Sequence, residues 1–155
     1  MRQKLHPIAG GAALLIISLF WISTAVSELS GSGALIRAVK MAVPWGFLLL
    51  VPALLLTGAS GAALAKGRQG KLISAKQKRM PVIAANGVLV LVPAALFLAA
   101  RAEAGKIDTV FYAVQALELV AGAVNIWLLT LNMRDGLKMT ARRRQARKER
   151  ASPSC

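Results

Sequence analysis

The chain has 155 residues, is 56% hydrophobic and carries a formal net charge of +14, with a mean hydropathy of +0.58. Its charges lie in blocks between apolar runs of about 20 residues, the arrangement of a polytopic membrane protein, which leaves no room for a sizeable water-soluble domain. The single cysteine, Cys155, excludes a disulfide framework and a cysteine-based metal site.

Residues 1–6 form a short basic leader with Arg2 and Lys4. The first apolar segment covers about 7–27, and Pro7 suits the first turn of a helix. A cleavable signal sequence is the competing reading, with Ala25-Val26-Ser27 as its cleavage site, although the apolar run is longer than a usual signal core. Residues 28–33 read as a turn, and 34–40, with Arg37 and Lys40, as an interfacial helical lead-in. The second span, 41–65, contains Pro44 and Pro52. Pro52 lacks an N–H and frees the Leu48 carbonyl, which predicts a kink. Two small-xxx-small pairs follow, Gly58/Ala62 and Ala59/Ala63, and point to a close helix–helix contact.

Residues 66–80 read as a basic loop. The third span, 81–100, carries Asn86-Gly87 near one end and Pro93, a second kink position, toward the other. A short connection of mixed charge leads to the fourth span, 108–132, and Gly136 beyond it is a helix-stop signal. The expected fold is all-α: four transmembrane helices in a small bundle over 1–135, then a basic cytoplasmic tail over 136–155.

Orientation follows from the distribution of Lys and Arg. Four spans put both termini and the 66–80 loop on one side, which holds sixteen of the 20 basic residues. The other side holds Arg37, Lys40, Arg101 and Lys106. Both ends are therefore expected in the cytoplasm of a cell whose inner (plasma) membrane the chain crosses.

The fourth span is the anomalous one. Gln115, Glu118, Gly122 and Asn125 fall within an arc of roughly 80°, at about 100° per residue. A carboxylate inside a membrane helix is costly unless it is neutral, paired or facing a cavity. At about 1.5 Å per residue, Glu118 lies roughly 15 Å in from the outer end, near the level of Ser18 in span one. Asn125 and Asn86 lie nearer the inner end, where they can pair across helices. These residues define an intramembrane polar seam, and Lys40 or Arg37 can snorkel in from the outer interface to neutralise Glu118. Packing glue and proton, ion or ligand handling are both open roles for it.

His6 is the only histidine. With Met80 at a comparable level it offers a weak pair of axial ligands for haem b. Four-helix bundle cytochromes share the architecture but need two histidines. Small multidrug transporters share a single membrane carboxylate but carry it in their first helix, and no residue carries over from them. No nucleophile triad, phosphate loop or metal-ligand cluster is found, so no enzymatic activity and no metal are expected. Arg142, Arg143, Arg144, Arg147 and Lys148 in the tail suit anionic lipid head groups rather than a specific nucleic acid. Trp21 and Trp45 toward the outer interface, and Trp127 toward the inner one, read as belt anchors.

Three functions are consistent with these residues. The first is a non-enzymatic accessory, assembly or scaffold component, associating with other membrane subunits or with itself. The second is a proton-linked transporter or channel element using Glu118. The third is a b-type haem electron-transfer protein.

Overall fold

A computed structural model describes residues 2–65 and 70–151, with helices as the only regular elements among them. Helix α1 covers Arg2–Leu29 and α2 covers Gly33–Ala65. Helix α3, Lys71–Asn86, continues through a π-helical turn at Gly87–Leu91 into α4, Val92–Glu103. Helix α5, Thr109–Ala151, is the longest. Four helical segments are long and apolar enough to cross a membrane: His6–Leu29, Gly33–Ala63, Leu72–Glu103 and Thr109–Arg142. The chain is an all-α, four-helix, multi-pass membrane protein.

Several helices outrun the expected bounds. The lead-in at 34–40 is the first part of α2, and residues 71–80 of the expected loop are the start of α3. The correction has a simple cause. Basic residues in the interfacial turns of a helix look like loop by composition, although their long stems suit a helix surface. Residues 66–69 and Cys155 lie outside the described residues. Helix α5 passes through Gly136 without stopping. A stop needs a left-handed glycine, and the positive-φ glycines here are Gly31, Gly70 and Gly105. Gly31 and Gly105 lie in the two short turns, 30–32 and 104–108, which share one end of the bundle (below, the turn end).

Helix α1 packs on α2 and α5, α2 also on α4, and α5 also on α3 and α4. Helices α2 and α5 therefore face each other across the bundle. Two apolar clusters fill the interior. One, near the turn end, joins Ile36, Leu98, Ala102 and Phe111. The other joins Ala13, Ile17, Leu50, Ile83 and Leu129. Ala13 and Ile17 place α1 in the core, as do its buried Thr24 and Ser27. Large apolar side chains such as Leu15, Leu19, Leu48, Leu55, Leu89 and Val120 point outward, as lipid-facing residues do.

Glycines set the close approaches. A Cβ at Gly46 would run into the Phe20 ring, and one at Gly122 would lie 2.9 Å from Trp21 Cδ1. The small-xxx-small pairs do not serve the internal contact. Ala59, Ala62 and Ala63 are exposed, and a Cβ at Gly58 would meet nothing within 4 Å. The α1–α2 approach at that level runs instead through Gly61, where a Cβ would lie 3.0 Å from His6 Cε1.

The start of α5 is fixed by Asp108. Its Oδ1 accepts the Phe111 N–H at 3.1 Å, and its Oδ2 pairs with Arg101 at the end of α4. This is helix-capping geometry. The Phe111 N–H is the main reason the Asp108 carboxyl is held below the usual carboxylate range; desolvation opposes it and Arg101 adds to it. A depressed carboxyl contributes stability above its unfolded pKa and loses it as pH falls through the folded one. The protection factors of the Val110 and Phe111 amides, taken relative to intrinsic exchange at each pH, are expected to fall in Asp108→Ala, and in the wild type on acidification through that depressed value. Unchanged protection in the variant would remove the capping role.

Candidate functional site

Helix α5 turns one narrow stripe inward: Phe111, Gln115, Glu118, Gly122, Asn125, Leu129 and Asn132, with Gly136 continuing it. The spacing alternates between four and three residues, the pattern of a coiled-coil seam. Here the seam is largely polar. Gln115, Asn125 and Asn132 are buried, and Glu118 is 13% exposed.

Each polar member meets a different neighbour. Lys40 Nζ of α2 lies 2.5 Å from Glu118 Oε2, and the Lys40 side chain is 1% exposed. Gln115 Nε2 donates to the same Oε2 at 3.2 Å. The long lysine stem spans the diagonal between α2 and α5, and the ion pair sits between the two apolar clusters. Arg37, the other sequence candidate for this charge, is exposed and lines an open groove with Met41, Ala102 and Ile107. Its place on the helix sends it away from α5.

One turn further along, Trp21 Nε1 donates to the Leu119 carbonyl at 2.8 Å while its ring covers Gly122. Trp21 is thus a wedge between α1 and α5 rather than a belt anchor; Trp45 and Trp127 are exposed, as belt anchors are. Asn86 Nδ2 donates to Asn125 Oδ1 and to the Ala121 carbonyl, both at 2.9 Å, and Asn125 Nδ2 donates back to the Ile83 carbonyl at 3.4 Å. Ser18 is half-buried on α1 and makes no hydrogen bond to this set among the described residues.

The far end of the stripe is held by α3. Asn132 Nδ2 lies 3.4 Å from Met80 Sδ, and Arg79 pairs with Asp135 at 2.7 Å. His6 Nδ1 lies 3.1 Å from the Thr57 carbonyl and 3.0 Å from Ser60 Oγ, and Nε2 lies 3.4 Å from Lys76 Nζ. A carbonyl can only accept, so Nδ1 carries the proton and Nε2 accepts from the lysine. His6 and Met80, the two haem candidates, are each engaged by protein groups. No group of three or more His, Cys, Asp or Glu suited to a metal ion occurs among the described residues. Arg142 and Arg144 are exposed on α5; the side chains of Arg143, Arg147 and Lys148 lie outside those described.

Three further polar residues near the end of α1 lie outside the expected seam. Thr24 and Ser27 are buried on α1, with Ser27 Oγ donating to the Thr24 carbonyl. Glu28, read as part of a turn, belongs to the last turn of α1, and its Oε1 is buried without a hydrogen-bond partner. The spacing of Thr24, Ser27 and Glu28 at i, i+3 and i+4 was the available signal.

Comparison with known proteins finds no matching family model, no matching curated protein and no matching solved structure.

Removing one member of a buried ion pair leaves the other charge uncompensated, at a cost of about 3–5 kcal/mol. Lys40→Met is therefore expected to destabilise the bundle by that order in a mild-detergent unfolding titration. Lys40→Met combined with Glu118→Leu should recover most of the loss. Equal unfolding midpoints for the single and double variants would show that the two side chains are not coupled. At Asn86 and Asn125, single leucine substitutions and the double variant should give a smaller coupling, about 0.6 kcal/mol and at most about 1.7.

Proposed function

We propose that this chain is a non-enzymatic accessory, assembly or scaffold component of a complex in the inner (plasma) membrane, with both ends in the cytoplasm. The observation that carries the reading is the outward face of α2. Only 11% of the most apolar window of α2 is buried in the bundle, against 22% for α1 and 28% for each of the other two spans. On that face Ala59, Ala62 and Ala63 are exposed and the space above Gly58 is open. A small-residue face that its own bundle leaves uncovered lets the backbone of another helix come close. The internal charges support the same reading, because Glu118 is neutralised by a buried lysine. The basic end of α5 and the tail suit anionic lipid head groups, at about 1 kcal/mol per basic residue near the surface.

A second reading, a proton-linked transporter or channel element, rests on the same Glu118–Lys40 pair as a buried charge site within membrane-spanning helices. It requires proton-gradient-dependent flux in liposomes that Glu118→Gln abolishes.

Two measurements test the first reading. Affinity purification in mild detergent, followed by mass spectrometry, is expected to recover stoichiometric membrane subunits or a second copy of the chain. Gly58→Leu and Ala62→Leu should release them while leaving helical content unchanged. A lone monomer in the wild type, or equal recovery in the variants, refutes the reading. Reporter fusions at the C-terminus should be active only as cytoplasmic reporters; activity of a periplasmic reporter there would reverse the orientation.

A further inference from the structure

Helix α2 is longer than the hydrocarbon it crosses. Its membrane-spanning segment, Gly33–Ala63, has 31 residues, which at about 1.5 Å per residue is roughly 46 Å. A hydrocarbon core is about 30 Å thick, so a centred segment leaves about 8 Å at each end among the head groups. Arg37 stands about 6 Å along the segment and falls in the head-group layer, whereas Met41, at about 12 Å, is within the hydrocarbon.

A groove opens on the bundle surface at this level. Gly33, Arg37, Ala38 and Met41 of α2 form one wall, with Ala102 of α4 and Ile107 of the following turn opposite. Its volume of about 550 Å³ lies within the range of about 300–1,000 Å³ of clefts that hold small ligands. Ala38 and Ala102 stop at Cβ, which leaves the channel open between the helices. Gly33 lets α2 approach Ile107 at the turn end, where an added Cβ would lie 3.9 Å from Ile107 Cδ1.

Arg37 is the only charged residue in this lining among the described residues. It is exposed, and the three ion pairs among those residues join Lys40 to Glu118, Arg79 to Asp135 and Arg101 to Asp108, so none of them uses it. A helical side chain leans toward its own N-terminus, which carries this guanidinium toward the turn end and the head groups. A free cation at phosphate depth above an apolar channel at chain depth has the order of a phospholipid, read from head to tail.

We propose that the groove binds one anionic phospholipid of the turn-end leaflet. The guanidinium takes the phosphate through two parallel N–H donors, and an acyl chain lies over Ala38, Ala102 and Met41. Trp45, one turn deeper on α2 and 73% exposed, continues that apolar path. The groove is about one leaflet deep, which suits a lipid better than a spanning helix. The site lies at the opposite end of the bundle from the basic tail and does not depend on the accessory reading.

Lipid titration of the delipidated full chain in mild detergent, read by native mass spectrometry, tests head and chain separately. Phosphatidylglycerol is expected to bind one per chain at about tenfold lower concentration than a diacylglycerol with the same chains, the worth of one charged contact. Arg37→Gln should bring phosphatidylglycerol to the diacylglycerol level, whereas Ala38→Leu should weaken both lipids. Both positions are exposed, so helical content by circular dichroism should stay unchanged. Wild-type proteoliposomes give a measurement that needs no variant. Phosphatidylglycerol with a diazirine high in one chain should label 34–41 and 102–107 more than the outward-facing Leu15, Leu55 and Leu89. Equal uptake of the two lipids by the wild type, uptake unchanged in either variant, or labelling spread evenly over the outward faces overturns the proposal. Label on a co-purifying subunit in place of the groove assigns this face to a protein partner and overturns it as well.

Discussion

The bundle is organised by the requirement that the polar stripe of α5 be satisfied inside a bilayer. Lipid tails are as apolar as leucine, so apolar contact between transmembrane helices gains little over contact with lipid. Pairing of polar groups does gain, because the alternative is a polar group left in hydrocarbon. Helix α5 presents Glu118, Asn125 and Asn132 along one line, and α2 and α3 answer them with Lys40, Asn86 and Met80. Trp21 closes the gap between them by bonding the Leu119 carbonyl of α5 from α1. The ion pair is the most demanding of these contacts. A buried lysine has a large desolvation cost, offset only when its partner is in contact. Because α2 and α5 stand diagonally, that contact fixes the width of the bundle as well as the pairing of two helices.

The stripe also fixes axial register. Apolar side chains slide past one another at small cost, whereas sliding α5 by one turn would break Glu118 from Lys40, Asn125 from Asn86 and Asp135 from Arg79 together. Steric contacts reinforce the same position. Trp21 fits only opposite Gly122, and Phe20 only opposite Gly46, since any Cβ at either glycine meets the ring. Polar contacts and ring-on-glycine contacts therefore select the same alignment, which is the consistency expected of a sequence that specifies one packing.

The interior of this design was more legible in the sequence than its ends. Helical spacing alone put Gln115, Glu118, Gly122 and Asn125 on one face, and residue depth put Asn86 level with Asn125. The reach of a lysine made Lys40 a candidate for Glu118. Composition could not show where helices stop. Lys71 through Met80 and the region beyond Gly136 are helical although their residues resemble loop, because interfacial helix turns and loops share a polar composition. Nor could depth show direction. Ser18 makes no hydrogen bond to the stripe among the described residues, and Glu28, one residue from the end of α1, is helical although the run of small and polar residues that follows it reads as turn. Trp21 resembled an interface anchor because its one N–H finds its acceptor only after α1 and α5 are packed.

The π turn at Gly87–Leu91 is the backbone's answer to the same constraint. Along α3, Ile83 and Asn86 face α5. Continuing at 3.6 residues per turn from Ile83 would bring Ala94, Phe97 and Arg101 to the inner face. The residues buried on α4 are Ala94, Ala95, Leu98, Ala99 and Ala102, a face centred about one residue later. A π turn closes i→i+5 hydrogen bonds and so absorbs one extra residue, which supplies that phase shift. Pro93 assists, since its missing N–H and its ring both disfavour a regular turn over Leu89. The consequence reaches the site. With the shift, Leu98 and Ala102 close the apolar cluster over Phe111, and Arg101 is turned to the rim, where it holds Asp108 at the start of α5. Without it, a guanidinium would point into the bundle beside the Lys40–Glu118 pair and compete with Lys40 for the carboxylate. The widened turn in α3–α4 therefore keeps a single ammonium opposite Glu118.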